Sequence, residues 1–130
     1  MILIGHDYID FKAFEKIDKK EDIEKTAPNA TVVFDFHHDR VSLCHYVAEN
    51  SVKFAVIVKE EKEVIFASSL GASYIICDKG LATKAQKFAD DYLFDAKILL
   101  QSENEEDIEY VAKNSIDGIL FEKGISYGSR

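Results

Sequence analysis

Short apolar runs return along this chain about every 20 to 22 residues, with a stretch of helical periodicity between successive clear runs. The clear runs lie at 31–36, 53–58, 73–77, 96–100 and 118–121, with weaker candidates at 1–4 and 13–17. A spacing this short holds one helix and two tight connections, so consecutive strands are expected to be parallel. Between the runs, Leu43, Cys44, Val47 and Ala48 form one apolar stripe, and Val64, Ile65 and Ala67 a second. Ala85, Phe88, Ala89 and Tyr92 form a third, and Ile108, Val111 and Ala112 a fourth.

Start and stop signals frame these helices. Asp39 is the expected cap of a helix over 40–50, and Gly71 closes one over 61–70. Thr83 with Gln86 and Ser102 with Glu105 read as capping boxes for the last two helices. Nearly continuous apolar strands imply a sheet covered on both faces. The expected fold is therefore α/β: an open parallel-sheet three-layer sandwich with five or six strands, Rossmann-like or flavodoxin-like. A partial (β/α) barrel is the alternative. The irregular segment 6–30, with a helical turn at 21–25, reads as a lid or edge element. Residues 1–123 are expected to form one domain and 124–130, with two glycines and two serines, a flexible tail.

A chain of 130 residues has room for one core. Its formal charge of -8 disfavours nucleic acid, whose binding depends on Lys and Arg neutralising phosphates. No apolar run approaches the roughly 20 residues of a membrane span, and no basic segment precedes an apolar one at the N-terminus, so a cytoplasmic protein is expected. Cys44 and Cys77 sit in apolar patterns and read as buried thiols rather than a disulfide.

The periodicity has an echo in the residues themselves. YVAENSVKFAVIVK, from Tyr46, aligns without gaps on YVAKNSIDGILFEK, from Tyr110, and FASSLGASYIICDK, from Phe66, has the same form. FADDYLFDAKILLQ, from Phe88, is a degraded fourth copy. Duplication of one unit is one explanation; convergence on what any helix end feeding a parallel strand requires is the other. Units such as GASYIICDK resemble those of phosphate-handling (β/α)8 barrels, including the class I aldolase group. The resemblance covers 46–123 and implies a barrel-like arrangement. Five or six strands are too few for the eight of a closed barrel, and that family's glycine-rich phosphate loop has no counterpart here.

Ligands of parallel sheets bind at the carboxyl ends of the strands. There the sequence TVVFDFHHDR places Asp35, His37, His38 and Asp39 within five residues. A divalent metal can take Asp35 and His37, with His6 approaching from the first strand end, and imidazole with carboxylate suits zinc, manganese or iron. His37, His38, Asp35 and Lys79 are the candidate catalytic residues, the first three as acid-base groups and Lys79, beside Asp78, as a Schiff-base amine. Lys59, Lys79 and Lys123 end three equivalent units and form a candidate anion-binding rim. The alternative for all of them is exposed loop histidines, a helix cap and lysines paired with nearby acids. GxGxxG, GxxxxGK, GxSxG and HExxH are absent, so no organic cofactor is implied. Two functional classes follow. One is a non-catalytic protein-interaction or small-anion-sensing domain, self-associating or bound to a partner protein. The other is a small metabolic enzyme, a lyase/aldolase or metal-assisted hydrolase, acting on a phosphorylated or carboxylated metabolite.

Overall fold

In the computed structural model, which describes residues 1–128, the valines and phenylalanine after Thr31 form the strand β3 (Val32–Asp35). Before it come β1 (Ile2–Ile4) and β2 (Phe14–Lys16). After it the chain alternates: α1 (Val41–Glu49), β4 (Phe54–Ile57), α2 (Glu61–Ser69), β5 (Tyr74–Cys77), α3 (Lys79–Tyr92), β6 (Lys97–Gln101), α4 (Asp107–Lys113), β7 (Gly118–Leu120) and β8 (Ile125–Ser126). The strands form one sheet in the order β1-β7-β6-β5-β4-β3-β2-β8, and every ladder in it is parallel.

Side chains alternate between the two faces of each strand, and the two faces have different partners. On one face Val32, Phe34, Phe54, Val56, Ile75, Ile98 and Leu100 pack with Leu43, Val47, Val64, Ala67, Leu81 and Val111 of the helices. On the other face Ile4, Phe14, Val33, Ala55, Ile76, Leu99, Leu120 and Ile125 form a separate cluster, one residue from each strand. The partly buried residues against it, Ile2, Ile57 and Tyr74, are also strand residues. Only a sheet that curls upon itself can bury these side chains against each other, each large one contributing about 1.5–3 kcal/mol. The edges come close: a Cβ on Gly5 would lie 2.7 Å from the Gly124 nitrogen, and one on Gly124 would lie 2.8 Å from Ile4 Cγ2. No ladder joins β1 to β8 among the described residues. The fold is thus an open parallel sheet flanked by helices, with the alternation of Rossmann- and flavodoxin-like proteins, forming an incomplete barrel.

Several expectations change. Eight strands replace five or six, because β1, β2 and β8 have only two or three residues each and carry little periodicity. Strand side chains, not a second helix layer, cover the inner face. The expected tail begins with a sheet strand: Ile125 is buried and β8 pairs with Phe14 and Glu15 of β2. The last two positions of that tail, 129–130, lie outside the described residues. Helix α3 starts four residues before Thr83, where the Asp78 carboxylate accepts from the Leu81 amide at 3.0 Å. Helix α4 starts at Asp107 without the Ser102–Glu105 box; the Ser102 hydroxyl instead donates to the Asp107 carboxylate at 2.6 Å. No helix among the described residues is long and apolar enough to cross a membrane.

Candidate functional site

Because all strands are parallel, their carboxyl ends share one edge, and the polar residues that follow them are brought to it. At the end of β3 the chain enters a 3-10 turn over His38–Arg40, which leads directly into α1. Asp39 does not cap α1. Its amide donates to His37 Nδ1 at 3.2 Å, and its carboxylate oxygens lie 3.3 Å from His37 Nδ1 and 3.0 Å from His38 Nε2. The two imidazole rings are 4.2 Å apart. His37, His38 and Asp39 each offer a donor atom, and these atoms lie within 4.8 Å of one another. No other group of three His, Cys, Asp or Glu side chains among the described residues meets that condition. In a neutral His37, the Nδ1 that accepts the Asp39 amide faces a carboxylate oxygen with its lone pair. A metal cation held there by Nδ1 would take that lone pair from the Asp39 amide, since the nitrogen has only one.

The expected metal set of Asp35, His37 and His6 is not assembled. Asp35 ends β3 on the same face as Val33 and lies 3.7 Å from Lys16 Nζ, two residues beyond Phe14 of the inner cluster. His6 accepts the Tyr8 amide at Nδ1 (3.1 Å), which leaves Nε2, 3.3 Å from Glu105, to donate. Its ring packs edge-on against Tyr8 and Phe121. His6 is thus bound into the β1–β7 side of the edge, while the His37 group belongs to β3. The difference arises because β1 enters the sheet beside β7, a pairing that no local pattern specifies.

Two lysines of the expected rim are engaged by carboxylates. Lys79 Nζ lies 2.9 Å from Asp107 and 4.5 Å from the Tyr110 ring centroid. The hydrogen bond to Asp107 raises the Lys79 pKa, the opposite of what a Schiff-base amine requires. Lys123 Nζ bridges both Asp7 oxygens at 2.9 and 3.2 Å, and the same hydrogen bond holds the Asp7 carboxyl below its usual range. Lys59 alone of the three takes part in no ion pair among the described residues. Its amide donates to Glu63 while its side chain is exposed.

Sequence reasoning missed Lys16, Asp18 and Arg40. Lys16 contacts Asp18 at 3.4 Å as well as Asp35, and Arg40 lies 3.5 Å from Asp18 while donating to the Asp35 carbonyl at 3.1 Å. Lys16 carried no periodic signal, since Phe14, Glu15, Lys16 and Ile17 do not alternate. No protein-family model matches the chain, and comparison with curated proteins finds no match. The geometry of the edge is therefore the basis for a functional reading. The thiols are set apart from it: both are free and buried, and burial pushes Cys44 up to about 11 and Cys77 up to about 12.

Proposed function

We propose that this domain is a small metal-assisted hydrolase acting on a phosphorylated or carboxylated metabolite, with His37, His38 and Asp39 as ligands of a divalent ion. The observation that carries this reading is the convergence of two imidazoles and a carboxylate within 4.8 Å at the carboxyl edge of the sheet. The donor set fits zinc, and three protein ligands leave a fourth position open. All three side chains are exposed, so they can draw together to the roughly 3.4 Å donor spacing of a tetrahedral site with bonds near 2.1 Å. When bound, the ion would polarise the ester and lower the pKa of water. The proton of that water would pass to solvent, and the departing alcohol would take one from solvent as the ester bond breaks. The lyase variant with Lys79 as Schiff base is disfavoured by its Asp107 partner.

The test is zinc titration calorimetry on wild type and on a His37→Ala, His38→Ala double variant, followed by zinc-dependent hydrolysis of p-nitrophenyl phosphate. One equivalent of zinc bound by wild type and lost in the variant is expected. Equal zinc binding by both proteins would overturn the reading.

A second reading, self-association as an interaction module, draws on one observation. Ile65, Tyr92 and Leu93 are exposed around a groove of about 860 Å³ between α2 and α3. A monomer in sedimentation equilibrium at high concentration would reject it.

A further inference from the structure

A cavity of about 410 Å³ reaches Asp39 of the proposed metal group, between the turn that follows β2 and the start of α1. Its lining includes Asp39 itself together with Lys19, Lys20, Arg40, Asp18 and Glu21. We infer that this cavity holds the phosphate group of a phosphate-monoester substrate, with Lys19, Lys20 and Arg40 as its cationic contacts. The inference rests on the metal-centre reading, to which it adds the substrate class and the position of the anion.

The walls are held by contacts that leave the cations available. Asp22 is buried, and its carboxylate accepts from the Asp18 and Lys19 amides at 3.0 and 3.3 Å, so the turn carrying both lysines is fixed from below. Arg40 is oriented by the Asp35 carbonyl and meets Asp18 only at 3.5 Å, an ion pair long enough to yield to a second anion. Neither Lys19 nor Lys20 takes part in an ion pair among the described residues, and Lys20 lies 5.6 Å from the Tyr46 ring centroid on the cavity wall. Lys79 and Lys123, by contrast, are each engaged by a carboxylate at 2.9 Å.

The charge balance favours phosphate over carboxylate. The three cations of the lining face three carboxylates, Asp18, Glu21 and Asp39, and are matched by them. A divalent ion on Asp39 turns that balance positive by two, the complement of a phosphate-monoester dianion near neutral pH. A carboxylate would neutralise half of it. An arginine fork and two flexible ammonium groups are also the contacts that phosphate oxygens accept.

The experiment measures inorganic phosphate binding to the full chain by 31P line broadening, with and without one equivalent of zinc. Three proteins are compared: wild type, Lys19→Ala/Lys20→Ala, and Lys79→Ala/Lys123→Ala. Weakening of phosphate binding by tenfold or more in the first variant, with zinc binding intact and the second variant like wild type, is the expected result. Unchanged phosphate affinity in Lys19→Ala/Lys20→Ala, or zinc binding without any phosphate binding, overturns the inference and leaves the metal reading standing. Failure of wild type to bind zinc overturns the metal reading, and loss of phosphate binding in Lys19→Ala/Lys20→Ala would then still support the cavity as an anion site.

Discussion

Lys79 Nζ lies 2.9 Å from Asp107 Oδ1 and ties the first turn of α3 to the first turn of α4. The Asp107 pKa is lowered first by the Ser102 hydroxyl and then by Lys79, while Lys79 is raised by Asp107. A lowered carboxyl stabilises the fold above its unfolded value of about 4 and loses that contribution as pH falls through the folded value. A raised ammonium contributes fully below its unfolded value of about 10.4 and loses it as pH rises through the folded one. Asp107→Asn should therefore lower Tm by a few degrees at most at neutral pH, since Lys79 is exposed. That difference should disappear at strongly acid pH. Circular-dichroism melts across the acid range check this, and a difference that persists at low pH would refute it.

Gly118 is the point where three strands meet. It pairs with Ile2 of β1 and Leu99 of β6, and a Cβ there would lie 2.6 Å from Ile2 Cβ and 2.9 Å from Leu99 Cδ2, against the Ile2 carbonyl as well. Gly118→Ala should destabilise the domain by about 1–3 kcal/mol by forcing β1 away. Urea unfolding measures it, and wild-type stability would mean that β1 is not bound as described.

The repeated YVAxNS sequence forms the same helix end twice. Asn50 donates to the Tyr46 carbonyl at 2.8 Å and Asn114 to Tyr110 at 2.9 Å, and the following Ser51 and Ser115 have φ of 57° and 53°. Left-handed backbone strains any residue with a Cβ. Ser51→Gly and Ser115→Gly should each raise stability by up to about 1 kcal/mol, and their effects should add, since the two helix ends follow β3 and β6. Chemical denaturation of the single and double variants decides it.

Both thiols should be silent in the folded protein. Burial raises Cys44 to about 11 and Cys77 to about 12, so native protein at pH 8 should show no reaction with Ellman's reagent over the time in which denaturant releases both. Rapid labelling of Cys77 without denaturant would contradict its place in the core.

The alternating strands and helices were legible because burial between a sheet and a helix imposes period two on one and period 3.6 on the other. Val32, Phe34, Leu43 and Val47 show both periods within a short stretch. The ends of the sheet were not legible. In β1, β2 and β8 two or three residues are too few to display a period, and the glycines and serines around Ile125 resemble a linker until that side chain is seen inside the curl.

The candidate site divides in the same way. His37, His38 and Asp39 are neighbours in the chain, so their proximity was present in the sequence. The companions assigned to them were not: His6 went to Glu105, Asp35 to Lys16, Lys79 to Asp107 and Lys123 to Asp7. Local periodicity determines which residues lie in strands, in helices and at the carboxyl edge, because it depends on neighbours three or four positions away. Which strand ends meet around that edge depends on strand order and curl. Those follow from the packing of eight strands at once, and only the tertiary structure decided them.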